Sequence, residues 1–158
     1  MDIRAGLLVL LISGCSVPGL TSSTSVPLDI KGIKIGDHIT CESNSEDIYN
    51  NVRLCHLVDL TTFGGATVDE NTIALLDEKV SIIKLALTQR SGFNQAEVLS
   101  AMASKFGPPA RGGQPRTHIW TNNRDTMYLD EIRGTVVLYG ADLDKTKNIM
   151  SIFKSNDL

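Results

Sequence analysis

The stretch NTIALLDEKVSIIKLALT (71–88) carries the reading of the fold. Two runs rich in β-branched and aliphatic residues, NTIALL and VSIIKLALT, flank the turn residues Asp77, Glu78 and Lys79, and that order predicts a β-hairpin. In the second run Ile83, Leu85 and Leu87 recur at period two, so they share one face of a strand. That face needs a cover, and the next segment supplies one. Asn94 precedes a helical pattern from Gln95 to Phe106: Glu97 stands at the capping-box position, Phe93 can staple onto Val98, and Val98, Leu99, Met102 and Phe106 align on one side. Gly107, Pro108 and Pro109 end the helix.

Working outward, GPPARGGQPR (107–116) reads as a loop. THIWT (117–121), TMYLDEI (126–132) and TVVLYG (135–140) read as three strands of a meander, joined by polar turns around 122–125 and 133–134. A further amphipathic helix is expected from an Asp142 cap, with Leu143, Ile149, Met150 and Phe153 inward. Upstream, LDIKGIKIG (28–36) and VRLCHLVDL (52–60) look like strands, and SEDIYNNV (45–52) like a short helix. The expected architecture is α+β: one antiparallel sheet of about five or more strands, a helix across one face, and a C-terminal helix. The expected organisation is a leader over 1–14, a tether over 15–26 and one domain over 27–158.

Of the 158 residues, 42% are hydrophobic and 21% charged, an ordinary globular balance. A net charge of −3 and a pI near 5.5 argue against a general binder of nucleic acid or anionic membranes, which needs a concentrated basic face. The chain starts MDIRAGLLVLLISGC: Arg4, an apolar run over 5–12, then small residues and Cys15. This is the layout of a secretory signal, too short to span a bilayer. Its end, Ile12-Ser13-Gly14-Cys15, resembles the lipobox of bacterial lipoprotein precursors. The resemblance implies removal of residues 1–14 and a diacylglycerol thioether on Cys15. With Ser16 rather than Asp after the cysteine, it also implies the periplasmic face of the outer membrane. Several acyl chains hold firmly at about 0.8 kcal/mol per buried methylene. The following SVPGLTSSTSV (16–26) has the composition of a flexible tether, with a coil reach on the order of 20 Å.

With Cys15 lipidated, Cys41 and Cys55 remain, and an even pair in an exported domain is most simply a disulfide. The alternatives are two free thiols, or a metal site made of His38, Cys41, Cys55 and His56. The adjacent pair Cys55 and His56 suits a metal poorly, because neighbours on a strand point to opposite faces.

No nucleophile elbow, zinc-protease helix motif, phosphate loop or calcium loop occurs. Asp130 and Glu131 are adjacent and point apart on a strand. Asp142 and Asp144 suit a helix N-terminus, and Asp69 with Glu70 suits a solvated loop. The features that lean toward recognition are Arg111, Arg116, His118, Trp120 and Arg124, since Arg and Trp dominate binding hot spots. Strand alternation groups His118 with Trp120 and opposes them to Ile119; if Ile119 packs under the helix, Trp120 faces out, and otherwise it is core. The expectation is a non-catalytic envelope lipoprotein, anchored in the membrane by its lipid and binding an envelope protein in an assembly, inhibitory or immunity-type role. It is expected to use no cofactor, metal or nucleic acid. The alternative is a small envelope hydrolase or metal-dependent enzyme using His56 or His118 with nearby carboxylates.

Overall fold

A computed structural model describes residues 24–41, 52–87 and 93–140, together with the backbone of 46–49. Nine strands and one helix follow in the order β1 (Glu46–Tyr49), β2 (Val52–Cys55), β3 (Thr62–Phe63), β4 (Ala66–Leu76), β5 (Lys79–Leu87), α1 (Gln95–Phe106), β6 (Ala110–Arg111), β7 (Thr117–Thr121), β8 (Asp125–Asp130) and β9 (Thr135–Gly140). Eight strands form an antiparallel row, β1-β2-β4-β5-β9-β8-β7-β6, and β3 pairs with β4 beside it.

The predicted hairpin is β4 and β5. Leu76 pairs with Lys79, so Asp77 and Glu78 alone make the turn, both with positive φ of 51° and 61°. That is a two-residue primed turn, whose twist matches the strands it joins. β4 begins earlier than the apolar run, at Ala66, after a Gly64-Gly65 turn that lies against the first turn of α1. Pairing shifts between Ala74 with Ile82 and Leu75 with Val80, which leaves Ser81 as an extra residue. The bulge turns Val80 toward the helix side and Ile82 to the opposite face.

α1 covers one face with Val98, Met102 and Phe106, each contributing about 1.5–3 kcal/mol by burial. The Asn94 side chain accepts the Glu97 N–H at 3.3 Å, and Gly107, at φ 87°, donates its N–H to Ala103. Phe93 packs against the same cluster. Beneath the helix a row of cross-strand partners, Trp120, Met127, Leu138, Ile83, Ile73 and Cys55, runs through six strands. The other face gathers Val52, Leu54, Ala74, Ile82 and Val137, with Leu76, Tyr128 and Tyr139 at its margin.

Five readings are corrected: Asp69 and Glu70, expected in a solvated loop, lie in β4, and the loop expected over 107–116 contains β6. The stretch expected as a short helix contains β1, because Glu46 and Asp47 pair with Leu54 and Arg53 of β2; the sheet satisfies backbone groups that a helix of eight residues would leave open at both ends. LDIKGIKIG is not a strand. Ile30 and Ile33 close on each other across a Lys31-Gly32 turn with φ of 53° and 86°. VRLCHLVDL is extended only through Cys55 and then turns. The arm over 24–41 instead lays Leu28 and Ile30 into the helix-side core. Its Asp29 carboxylate accepts from the Gly32 N–H at 2.7 Å and from the Lys105 ammonium of α1 at 2.6 Å. Cys41 and Cys55 are joined in a disulfide with Cα atoms 5.7 Å apart, pinning the far end of that arm to β2. The C-terminal helix expected from Asp142, the leader over 1–14 and Cys15 lie outside the described residues.

Candidate functional site

Strand β7 carries the recognition residues expected from sequence, and the structure divides them. Trp120 is corrected. It is fully buried on the face that α1 covers, and its Nε1–H donates to the Gly107 carbonyl at the end of the helix, at 2.8 Å. The ladder decides this, because Trp120 stands opposite Met127 and shares its face, whereas Ile119 stands opposite Tyr128 on the other side. Trp120 is therefore a core residue and not a contact residue.

At the start of β7, two of the expected residues, Arg116 and His118, come together around Glu131. Glu131 follows β8, and only 12% of its side chain is exposed. Its Oε1 accepts from His118 Nε2 at 2.7 Å and its Oε2 from Arg116 Nε at 2.9 Å. Gln95, the first residue of α1, completes the ring: its Nε2 donates to the Glu131 carbonyl at 3.0 Å, and its Oε1 accepts from the Arg116 guanidinium. Arg116 holds a left-handed backbone, φ 58°, and its carbonyl accepts the Glu131 N–H at 3.1 Å. Arg111, exposed on β6, is the cross-strand partner of His118 and so shares its face. Burial of Glu131 works to raise its carboxyl, but hydrogen bonds from Arg116 and His118, with their charges, outweigh it and hold the group below its ordinary value.

Both oxygens of this carboxylate are engaged, and the neighbouring Thr117 hydroxyl donates to the Gln114 carbonyl. The arrangement holds charge in place. Among the described residues His56 finds no carboxylate partner; its Nδ1 contacts the Asn71 carbonyl, while the Asn71 amide bonds both backbone groups of Leu57. Cys41 and Cys55, consumed by their disulfide, leave His38 and His56 without the ligand set that a metal would have used. Among the described residues no group of three or more His, Cys, Asp or Glu side chains converges. Asp130 faces away from Glu131 and accepts the N–H groups of Ile132 and Arg133, closing the β8–β9 turn.

Arg124 stands at the other end of β7, exposed in a turn that Asn122 organises by accepting the N–H groups of Arg124 and Asp125 at 2.8 and 2.6 Å. An open cleft of about 700 Å³ lies there, bordered by Thr24, Val26, Lys34, Ile35, Asn122 and Arg124 among others. Thr24 donates its N–H to the carbonyl of Thr121, the last residue of β7, at 2.8 Å. Asp125 forms part of the wall, and burial pushes its carboxyl up against the opposing pull of the Asn122 hydrogen bond and the Arg124 charge. Among the described residues neither the Lys34 ammonium nor the Arg124 guanidinium has a carboxylate at ion-pair distance.

Sequence reasoning missed Gln95, Lys34 and the role of Glu131. None belongs to a motif. Gln95 reads as a helix residue, and only the placement of α1 across the sheet brings it to Arg116. No protein-family model matches the chain, and neither does any curated protein or solved structure.

Proposed function

We propose that the protein is a non-catalytic lipoprotein, exported and anchored through Cys15 at the periplasmic face of the outer membrane. It binds an envelope protein through the end of the sheet that bears Arg111, Arg116 and His118. The observation that carries this reading is the closed network of Arg116, Glu131, His118 and Gln95. Ordering a long arginine side chain on association costs about 0.5–1.5 kcal/mol, and a guanidinium already held by two partners has met that cost in the free protein. Arg111 lies beside it on β6, the last strand of the row, with no strand on its outer side among the described residues. A partner thus meets one pre-set arginine, Arg116, beside the exposed Arg111 on a short open edge. The amphipathic pattern over 142–153 completes the reading as a C-terminal helix.

The test places a photo-crosslinking residue at Arg111 in the cell, with Ser104 on the exposed side of α1 as the control position. A discrete protein adduct at Arg111 and none at Ser104 supports the reading. Equal crosslinking at both positions refutes the site, and a protein that takes up no labelled palmitate at Cys15 refutes the anchor.

A further inference from the structure

The lipid reading has a geometric corollary at the opposite end of β7. If residues 15–23 are the tether, nine residue steps separate the lipid on Cys15 from Thr24. That is about 30 Å fully extended and about 17 Å as a coil. A domain of this size is about 35 Å across. On the tether reading the coil reach is half that width, which favours turning the face that holds Thr24 to the bilayer. Thr24 is bonded to the end of β7 and lines the cleft. Its walls carry what a headgroup layer would meet: Lys34 and Arg124, exposed and without ion-pair partners among the described residues, and Val26, 40% exposed.

We infer that this cleft seats the phosphate of an anionic phospholipid headgroup, with the Lys34 ammonium and the Arg124 guanidinium as its donors and Val26 toward the acyl boundary. This inference rests on the anchor proposed above.

An ammonium and a guanidinium are the two side-chain groups that give phosphate oxygens charge-assisted hydrogen bonds. Two such charges would not recruit a free protein of net charge −3, in keeping with a composition that lacks a concentrated basic face. They do not need to. The anchor already confines the domain, and a cation at an anionic leaflet is worth about 1 kcal/mol, so two bias its orientation roughly thirtyfold. Asp125 opposes the anion only in part, because the Asn122 amide donates to its carboxylate at 3.5 Å. Seating this end on the membrane turns Arg111, Arg116 and His118, at the far end of β7, toward the periplasm. The cleft thereby sets which face a partner meets.

The experiment uses the lipidated full chain on vesicles of phosphatidylcholine, alone or mixed with phosphatidylglycerol, and follows amide hydrogen exchange over 24–35 and 122–125. The expected result is slower exchange in both segments on the mixed vesicles only, lost at high salt and lost in Lys34→Gln with Arg124→Gln. Equal exchange on the two vesicles, or protection that survives the double substitution, overturns the inference. So does protection by free glycerol phosphate that the mixed vesicles fail to match, since the cleft would then take a soluble phosphate ester. Flotation on phosphatidylcholine alone reports the anchor separately. A chain that floats there without headgroup-dependent protection keeps the anchor and loses the cleft. If the chain does not float there, the anchor reading falls, and the headgroup inference that rests on it falls with it.

Discussion

Replacing Trp120 by alanine separates a core residue from a contact residue. The side chain is fully buried and its indole N–H donates to Gly107. A buried tryptophan removes about 150–250 Å² from water, worth about 4–6 kcal/mol at about 25 cal/mol per Å². Residual compactness of the unfolded chain trims that to about 3–5 kcal/mol, in line with other Trp→Ala truncations. A protein of this size is stable by about 5–15 kcal/mol, so the loss takes about a fifth or more. Trp120→Phe keeps most of the area but leaves the Gly107 carbonyl unpaired, which costs about 1–3 kcal/mol. Urea unfolding followed by far-UV circular dichroism is the assay, since Trp120 is the sole tryptophan and its fluorescence vanishes with it. The midpoint is expected to fall by about 2 M for alanine and by about half of that for phenylalanine, with an unchanged slope. An alanine variant whose midpoint stays within about 0.3 M of the parent refutes the burial argument.

The Glu131 carboxyl is held below its ordinary value of 4.5, so it adds stability above that pH and loses it as the pH falls through its lowered folded value. Thermal melts should therefore show Glu131→Gln less stable than the parent at pH 7, with the gap closing toward pH 3. A constant gap across that range counts against the network. At Gly112 an added Cβ would lie 2.0 Å from the Thr117 hydroxyl oxygen and 2.8 Å from its Cβ, whereas at Gly113 it meets nothing within 4 Å. Denaturant titration should accordingly find Gly112→Ala destabilised by about 1–3 kcal/mol and Gly113→Ala within about 0.5 kcal/mol of the parent. Substituting both Cys41 and Cys55 by serine should cost roughly 3 kcal/mol for a loop of this length, and equal stability with and without reductant would show that the arm needs no pin.

The local elements were largely legible from composition and spacing. The hairpin about Asp77 and Glu78, the capped helix from Gln95 to Phe106 and the three strands of the meander each carry their own period and their own stop signals. The upstream part was not. LDIKGIKIG alternates like a strand yet folds back at Lys31-Gly32, because Ile30 and Ile33 bond each other across that turn while the core accepts Leu28 and Ile30. SEDIYNNV carries a weak helical pattern that loses to β2, since pairing satisfies its backbone through residues that no local window contains.

The site divides along the same line. Alternation within one strand showed that His118 and Trp120 share a face, and cysteine parity favoured the Cys41–Cys55 bridge; both follow from residues close in sequence or from counting. Which face α1 covers was decided only by the order of the sheet, where β9 returns beside β5 and sets Trp120 in a row with Met127, Leu138 and Ile83. That same packing brought Gln95 of α1 and Glu131 after β8 to Arg116, and it carried Arg124 to the other end of β7 beside Thr24. Periods of two and 3.6 residues are properties of the backbone and can be read locally, whereas the side of a sheet that stays dry depends on what the rest of the chain lays across it.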